Sequence, residues 1–251
     1  MPIFGGYKPT AAGLPTIKQL AEDRIDLENA QVCVFTFEVL SDAAIAALPA
    51  ALHPPFPTYC SLALRAHADS PFGPFTTAEL RLHARATNHY VGYVLGGYTD
   101  NEQVSAWLEN GYGKRLAVAP TVSLKKRHYG VEAKVVDAAG RTALDAVIEN
   151  PGYIAGVDVL HAQNSVLALL DGAPTLIAEE FEYQIKEARR GPPHFHALDV
   201  AAFGATTLTV SNHLPATFIT ATWSYMPVRF TIDPNKPAVA GTRKIGQPAA
   251  A

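Results

Sequence analysis

The feature that most limits what this chain can become is its series of strand-like segments, each short and closed by a turn. Residues 31–40 (QVCVFTFEVL), 60–67 (CSLALRAH), 80–95 (LRLHARATNHYVGYVL) and 116–124 are β-branched, aromatic or alternating in polarity, which is the period-two signal of strands. Further candidates lie at 130–136, 141–149, 165–170, 174–188, 206–210 and 217–232. Asp137, Ala138, Ala139 and Gly140 supply a turn between two of them, so an antiparallel hairpin is expected there. About ten such strands joined by short turns predict a mainly β fold, an antiparallel barrel or two-sheet structure with a few short helices, because closure or stacking leaves few edges unpaired.

Three segments break the strand pattern. Residues 41–52 (SDAAIAALPAAL) begin with a serine cap and continue in helix formers, with Pro49 ending or kinking the run. Residues 15–23 form a shorter helical candidate. Residues 99–110 (TDNEQVSAWLEN) carry Thr99 and Glu102 at capping-box spacing, and Gly111 follows as a stop. The expected organisation is one domain over residues 1–233 and a loosely packed tail over 234–251, which is rich in proline, glycine and alanine and has no periodicity.

With 48% hydrophobic and 17% charged residues, 251 residues suffice for a substantial core. A net charge of −3 gives no electrostatic reason to expect nucleic acid or an anionic membrane as partner. The N-terminus lacks the pattern of a secretory signal, and no apolar run is long enough to span a bilayer, so cytoplasm is the default expectation. Cys33 and Cys60 both fall in apolar strands without metal or redox spacing and read as buried free thiols.

Residues 109–120 (ENGYGKRLAVAP) pose the sharpest chemical question, because they set two cations between a glycine turn and an apolar run. If the chain extends after Gly113, Lys114 and Arg115 project to opposite faces. No carboxylate adjoins them in sequence, so an inward lysine is expected to be partly desolvated, which favours the neutral amine. An ordinary lysine titrates near ~10.4 and is neutral at pH 7 only to about one part in a few thousand; burial that lowers this value makes a nucleophile.

Several segments in order resemble the acetoacetate decarboxylase family. YGKRLA at 112–117 resembles the signature in which an aromatic residue precedes a Lys-Lys pair whose first lysine forms a Schiff base. SPFGPFT at 70–76 resembles the family's glycine-aromatic turn, and YTDNE at 98–102 its lead into the helix before the lysine. EEFEYQIKEARRGPP at 179–193 resembles its long strand ending in a Gly-Pro turn, and TWSYMPVRF at 222–230 its final strand. The resemblance implies the acetoacetate decarboxylase-type fold, a homo-oligomer, no cofactor, and Lys114 as the Schiff-base lysine with Arg115 in place of its neighbour. On an ungapped reading the family's substrate-side arginine falls on Glu38 and its two active-site carboxylates on Leu62 and Thr77, while Glu79, two residues on, is the shifted stand-in for the second.

These departures move the expectation from acetoacetate towards a different keto acid or a larger β-keto compound. An iminium on the lysine is an electron sink, and it serves decarboxylation, α-proton loss or retro-aldol cleavage alike. The expected reaction is therefore a carbon–carbon lyase step on a small keto substrate, most simply decarboxylation. Aldolase, dehydratase or cyclase-type chemistry through the same lysine is the alternative, and an inactive barrel binding a small apolar carbonyl compound is the second. Glu38 or Glu79 is the candidate general base and the phenol of Tyr112 or Tyr225 the candidate donor. Asn110, four residues before the lysine, is a candidate contact from the helix end. His194 and His196 share a face if extended, but no third ligand is identifiable and no metal is expected.

Overall fold

The structure is a computed structural model and describes residues 4–159 and 162–246. Its strands run β1 Ile25–Val39, β2 Tyr59–His67, β3 Phe75–Ala86, β4 His89–Thr99, β5 Ala117–Val118, β6 Thr121–Lys126, β7 Gly130–Val136, β8 Thr142–Glu149 and β9 Gly152–Tyr153. They continue as β10 Gln163–Leu170, β11 Ala173–Glu179, β12 Phe181–Gly191, β13 Pro193–Leu198, β14 Val210–His213, β15 Ala216–Tyr225, β16 Phe230–Ile232 and β17 Thr242–Lys244. The helices are α1 Ser41–Ala47, α2 Glu102–Tyr112 and α3 Ala238–Gly241.

Two sheets result. The larger follows the order β17-β16-β11-β10-β4-β3-β2-β1-β15-β12-β9, with β14 on β1 and β5 on β4. The smaller is β13-β8-β7-β6. Both faces of the central strands are buried, for different reasons. One face carries Phe35, Phe37, Leu62, Leu64, Leu80 and Leu82, which pack against Val122, Val131, Val135, Leu144 and Ile148 of the smaller sheet. The opposite face is concave and carries a second core built from Val32, Tyr112, Leu116, Ile219, Trp223 and Tyr225. The larger sheet curls so far that β11, on one side of its path, runs directly into β12 on the other. Gln163 closes that seam: its side-chain amide donates to the Phe181 carbonyl at 2.9 Å and accepts from the Phe181 N–H.

The mainly β expectation holds, and the differences lie at breaks and caps. The run 80–95 is a hairpin, because Thr87 takes a left-handed φ of 58° and turns β3 into β4. The run 174–188 is broken at Glu180, where the chain changes partner from β10 to β15. The run 217–232 is broken after Tyr225, ahead of Pro227, and the strand expected at 206–210 lies at Val210–His213 instead. No helix forms at 15–23; Thr16 makes a bridge to Leu169 there. Ser41 does not cap α1, whose N-cap position is Leu40 without a side-chain bond. The tail is less loose than its composition suggests, since β17 pairs with β16. Residues 247–251 lie outside the described residues. Cys33 and Cys60 are buried free thiols, and burial pushes Cys60 up to about 12. Among the described residues no helix is long and apolar enough to cross a membrane.

Candidate active site

The end of α2 decides which way Lys114 points. Asn101 caps the helix start by accepting from the N–H groups of Gln103 and Val104, so Thr99 and Glu102 do not form the expected box. The helix runs through Gly111 and ends at Gly113, which adopts a left-handed φ of 67°. The N–H of Lys114 returns to the Leu108 carbonyl at 3.1 Å, the hydrogen-bond pattern of a glycine-terminated helix. A Cβ at Gly113 would lie 2.2 Å from the Ala168 Cβ, so the close approach to β10 also demands glycine. The chain leaves this turn extended and enters the gap between β4 and β10, whose pairing stops at Tyr93–Ser165. Two side chains then part: Lys114 turns into the concave face and is 1% exposed, while the Arg115 side chain is 54% exposed and holds Glu109 at 2.7 Å. Alternation along an extended segment is sufficient cause.

Lys114 meets two carboxylates that are remote in sequence. Its Nζ donates to Glu79 Oε1 at 2.8 Å and to Glu179 Oε1. The second oxygen of Glu79 pairs with Arg65 at 2.8 Å. Asn164, directly across the ladder from Glu179, donates through Nδ2 to Glu179 Oε2 at 2.7 Å and Glu79 Oε2 at 2.9 Å, which fixes the carboxylates relative to one another. Arg81 donates to Asn164 Oδ1 at 3.3 Å and to Ser61 Oγ at 3.2 Å. Ser61 lies 2.7 Å from His83 Nε2, and His83 Nδ1 bonds the Tyr90 hydroxyl. A Cβ at Gly92 would come within 3.1 Å of the Arg81 side chain, so glycine makes room for the guanidinium. An aromatic wall completes the site: the Arg65 guanidinium lies 5.0 Å from the Phe181 ring and 5.4 Å from Trp223, and Lys114 Nζ lies 5.8 Å from the Tyr225 ring.

Burial and charge compete at each group. Burial pushes the Glu79 carboxyl up, but the charges of Arg65 and Lys114 outweigh it and hold Glu79 well below the usual carboxylate range. Burial brings Arg81 down to about 9, still protonated at neutral pH. Burial with the nearby Arg65 brings His67 down to about 3, and burial with Arg81 does the same to His83. Burial raises the Tyr225 phenol well above its ordinary value, so it remains a hydrogen-bond donor.

The sequence-predicted residues divide. Glu79, Thr77 and Tyr225 lie buried on the concave face with Lys114. Tyr112 belongs to the aromatic wall, and its hydroxyl donates to the Met226 carbonyl at 2.9 Å. Arg115 is outside, as described. Leu62 faces the opposite side of the sheet, in the core between the sheets, because it opposes Phe35 and Leu80. Glu38 is half-buried near the end of β1, opposite Tyr59; it stands four residues, about 13 Å along the strand, beyond the rung that joins Val34 and Ala63 to Glu79. Asn110 is half-buried on α2 with its carbonyl bonded by Gln19, and none of the hydrogen bonds around Lys114 involves its side chain. His194 and His196 are both exposed on β13. The absence of a neighbouring carboxylate in sequence was misleading: the lysine's partners come from β3 and β11. Glu179, Arg65, Arg81, Asn164 and His67 were missed. The signal for Arg65, Arg81 and His67 was present in β2 and β3, where Ser61, Arg65 and His67, then Thr77, Glu79, Arg81 and His83, alternate with Leu and Ala. Polar side chains at every second place in buried strands mark a polar interior rather than a solvated face.

A curled sheet whose concave face holds a buried amine between two carboxylates defines a barrel with a charged interior centre. That architecture is the acetoacetate decarboxylase fold. The chain is similar to acetoacetate decarboxylase from Legionella pneumophila subsp. pneumophila str. Philadelphia 1, with a TM-score of 0.70 and 13% identity over 82% of this chain and 86% of that one. A second acetoacetate decarboxylase structure gives a TM-score of 0.68 at 17% identity over 83% and 88% of the two chains. The enduracididine biosynthesis enzyme MppR, complexed with pyruvate, gives 0.67 at 13% identity over 86% and 97%. The same enzyme complexed with the condensation product of pyruvate and imidazole 4-carboxaldehyde gives 0.62 at 15% over 88% and 98%. No protein-family model and no curated protein matches the chain by sequence.

Proposed function

We propose that the protein is a carbon–carbon lyase that forms a Schiff base through Lys114 with a keto acid or larger β-keto compound. One observation carries this reading: a lysine amine, 1% exposed, between the carboxylates of Glu79 and Glu179 on the concave face of the barrel. The ammonium must lose a proton before it attacks a carbonyl. Glu179 is the acceptor, because Glu79 is also engaged by Arg65, which stabilises its charged form. Attack of the amine and loss of water yield an iminium. In decarboxylation the bond to the carboxyl carbon then breaks, carbon dioxide leaves, and the electron pair forms the enamine. Protonation of the enamine carbon and hydrolysis release the product and restore the amine.

Aldol or dehydration chemistry uses the same enamine and is the second reading. The condensation product bound by MppR favours it, and a carboxylate beside the amine serves α-proton removal equally well. The decisive experiment is borohydride reduction in the presence of keto acids and ketones, with the adduct located by peptide mass spectrometry and Lys114→Ala as control. An adduct confined to Lys114 is expected, and release of carbon dioxide or of an aldehyde from the reacting compound separates the two readings. Equal labelling of the protein and the Lys114→Ala variant across the panel would leave a barrel that only binds a carbonyl compound.

A further inference from the structure

The barrel wall opens where β4 and β10 part. Their pairing stops at Tyr93–Ser165, and the chain from Gly113 to Arg115 occupies the gap beyond it. A cavity of about 610 Å³ lies over this crossing and has Lys114 in its wall. Its lining draws on both faces of the larger sheet. Tyr93 and Leu167 belong to the core between the sheets, whereas Val166 belongs to the concave-face core and Val94 packs against that core. A cavity bounded by both faces reaches into the gap itself, so Lys114 has this space on one side and its two carboxylates on the other.

The chemistry of the wall says what fits. Away from the crossing it is made by Leu14, by Ala43, Ala46 and Ala47 of α1 and by Leu95, with Thr207 at the exposed rim. Among the described residues no carboxylate side chain lines it, and its two charged residues are Lys114 and Arg115, the second held by Glu109 at the surface. Small apolar side chains remove a hydrocarbon chain from water and give a second charged group no partner. The volume lies within the range of small-molecule sites, which are mostly apolar with a few polar groups that fix orientation. The concave face is filled instead, by Arg65, Glu79, Trp223 and Tyr225 at 0% exposure. The cavity is therefore where a substrate longer than its reacting carbonyl has room.

We propose that this cavity holds the hydrocarbon tail of the substrate, a ketone or β-keto compound with an aliphatic chain whose carbonyl enters the gap to meet Lys114. The proposal rests on the reading of Lys114 as the Schiff-base nucleophile. The covalent step is the one already described: the amine nitrogen bonds the carbonyl carbon and water leaves. Specificity then comes from apolar area beyond the carbonyl, which separates this site from one built for pyruvate or acetoacetate, neither of which has a tail to bury.

Acetone and 2-heptanone, which share a methyl ketone and differ only in the tail, provide the test, with 2-heptanol as a tail that cannot form an iminium. Half-saturation of borohydride trapping at Lys114 is expected at least about 10-fold lower for 2-heptanone than for acetone, since burial of the added methylenes exceeds the cost of ordering them. Ala46→Phe and Thr207→Phe each fill the cavity from an exposed position. Each should raise the 2-heptanone value by about 10-fold and leave the acetone value within about twofold. By calorimetry 2-heptanol should bind the parent protein and lose affinity in the same variants. Equal half-saturation for the two ketones, a tail preference that survives in both variants, or no binding of 2-heptanol overturns the tail site. Binding of 2-heptanol that the variants abolish, without any ketone adduct at Lys114, keeps the tail site and overturns the Schiff-base reading. The two substitutions stand on different segments, so one decides the matter even where the other does not fold.

Discussion

At the scale of single residues, the two carboxylates around Lys114 have unequal work. Glu79 is tied to Arg65 and Lys114 together and braces the charged cluster, whereas Glu179 bonds Lys114 and Asn164 among the described residues. Glu79→Gln breaks the fully buried Arg65–Glu79 ion pair and is expected to lower stability by about 3–5 kcal/mol, read by denaturant unfolding. Glu179→Gln keeps that pair and one hydrogen bond from Asn164. It should lower stability by less than Glu79→Gln does, because Lys114 keeps Glu79 and Arg65 keeps its pair, and slow borohydride-trapped adduct formation by about 100-fold or more, the usual contribution of a positioned proton acceptor. If instead the Glu179 variant is the one that unfolds and the Glu79 variant the one that reacts slowly, the assignment is reversed.

At the scale of elements, α2 and its exit decide where the amine goes, and their two ends test differently. Asn101→Ala removes the side chain that accepts from Gln103 and Val104 and should cost about 1 kcal/mol. Gly113→Ala faces both a left-handed φ and a Cβ 2.2 Å from Ala168, so a loss above about 2 kcal/mol is expected, together with weaker trapping at Lys114 because the turn that aims it must shift. Much of this element was legible in the sequence. The helix, the extended exit and the opposite faces of Lys114 and Arg115 all follow from local pattern. The cap was misread because Thr99 and Asn101 are both good capping types two residues apart, and only the surrounding fold chooses between them; Thr99 is instead the last residue of β4. Glu179 was beyond reach for a different reason. It stands 65 residues from Lys114, at a seam where the chain changes sheet partners, and no local period encodes such a meeting.

At the scale of the whole molecule, the buried polar centre ties stability to pH. His67 and His83 are held neutral down to about 3, against an ordinary value of 6.5, by burial first and by neighbouring guanidinium charge second. Below about 6.5 the unfolded chain binds protons at these positions and the folded chain does not, so stability falls as pH falls from there towards 3. At pH 5.5 the two histidines together remove on the order of 3 kcal/mol. Glu79, held below its ordinary 4.5, adds a further loss once pH drops beneath that value. Urea unfolding at pH 7.5 and 5.5 measures the first part; a protein equally stable at both would mean that these rings are not neutral in the fold. The placement of every inward group by alternate positions on β2, β3 and the segment after Gly113 has one more consequence. Parity, more than chemistry, separates a buried amine from a surface one here. A substitution alters one group, but a single-residue insertion between Gly113 and Leu116 would trade Lys114 for its neighbour, and one inside β3 would turn the charged set towards the aliphatic layer between the sheets. Tolerance to change in these stretches is set by length before it is set by letters.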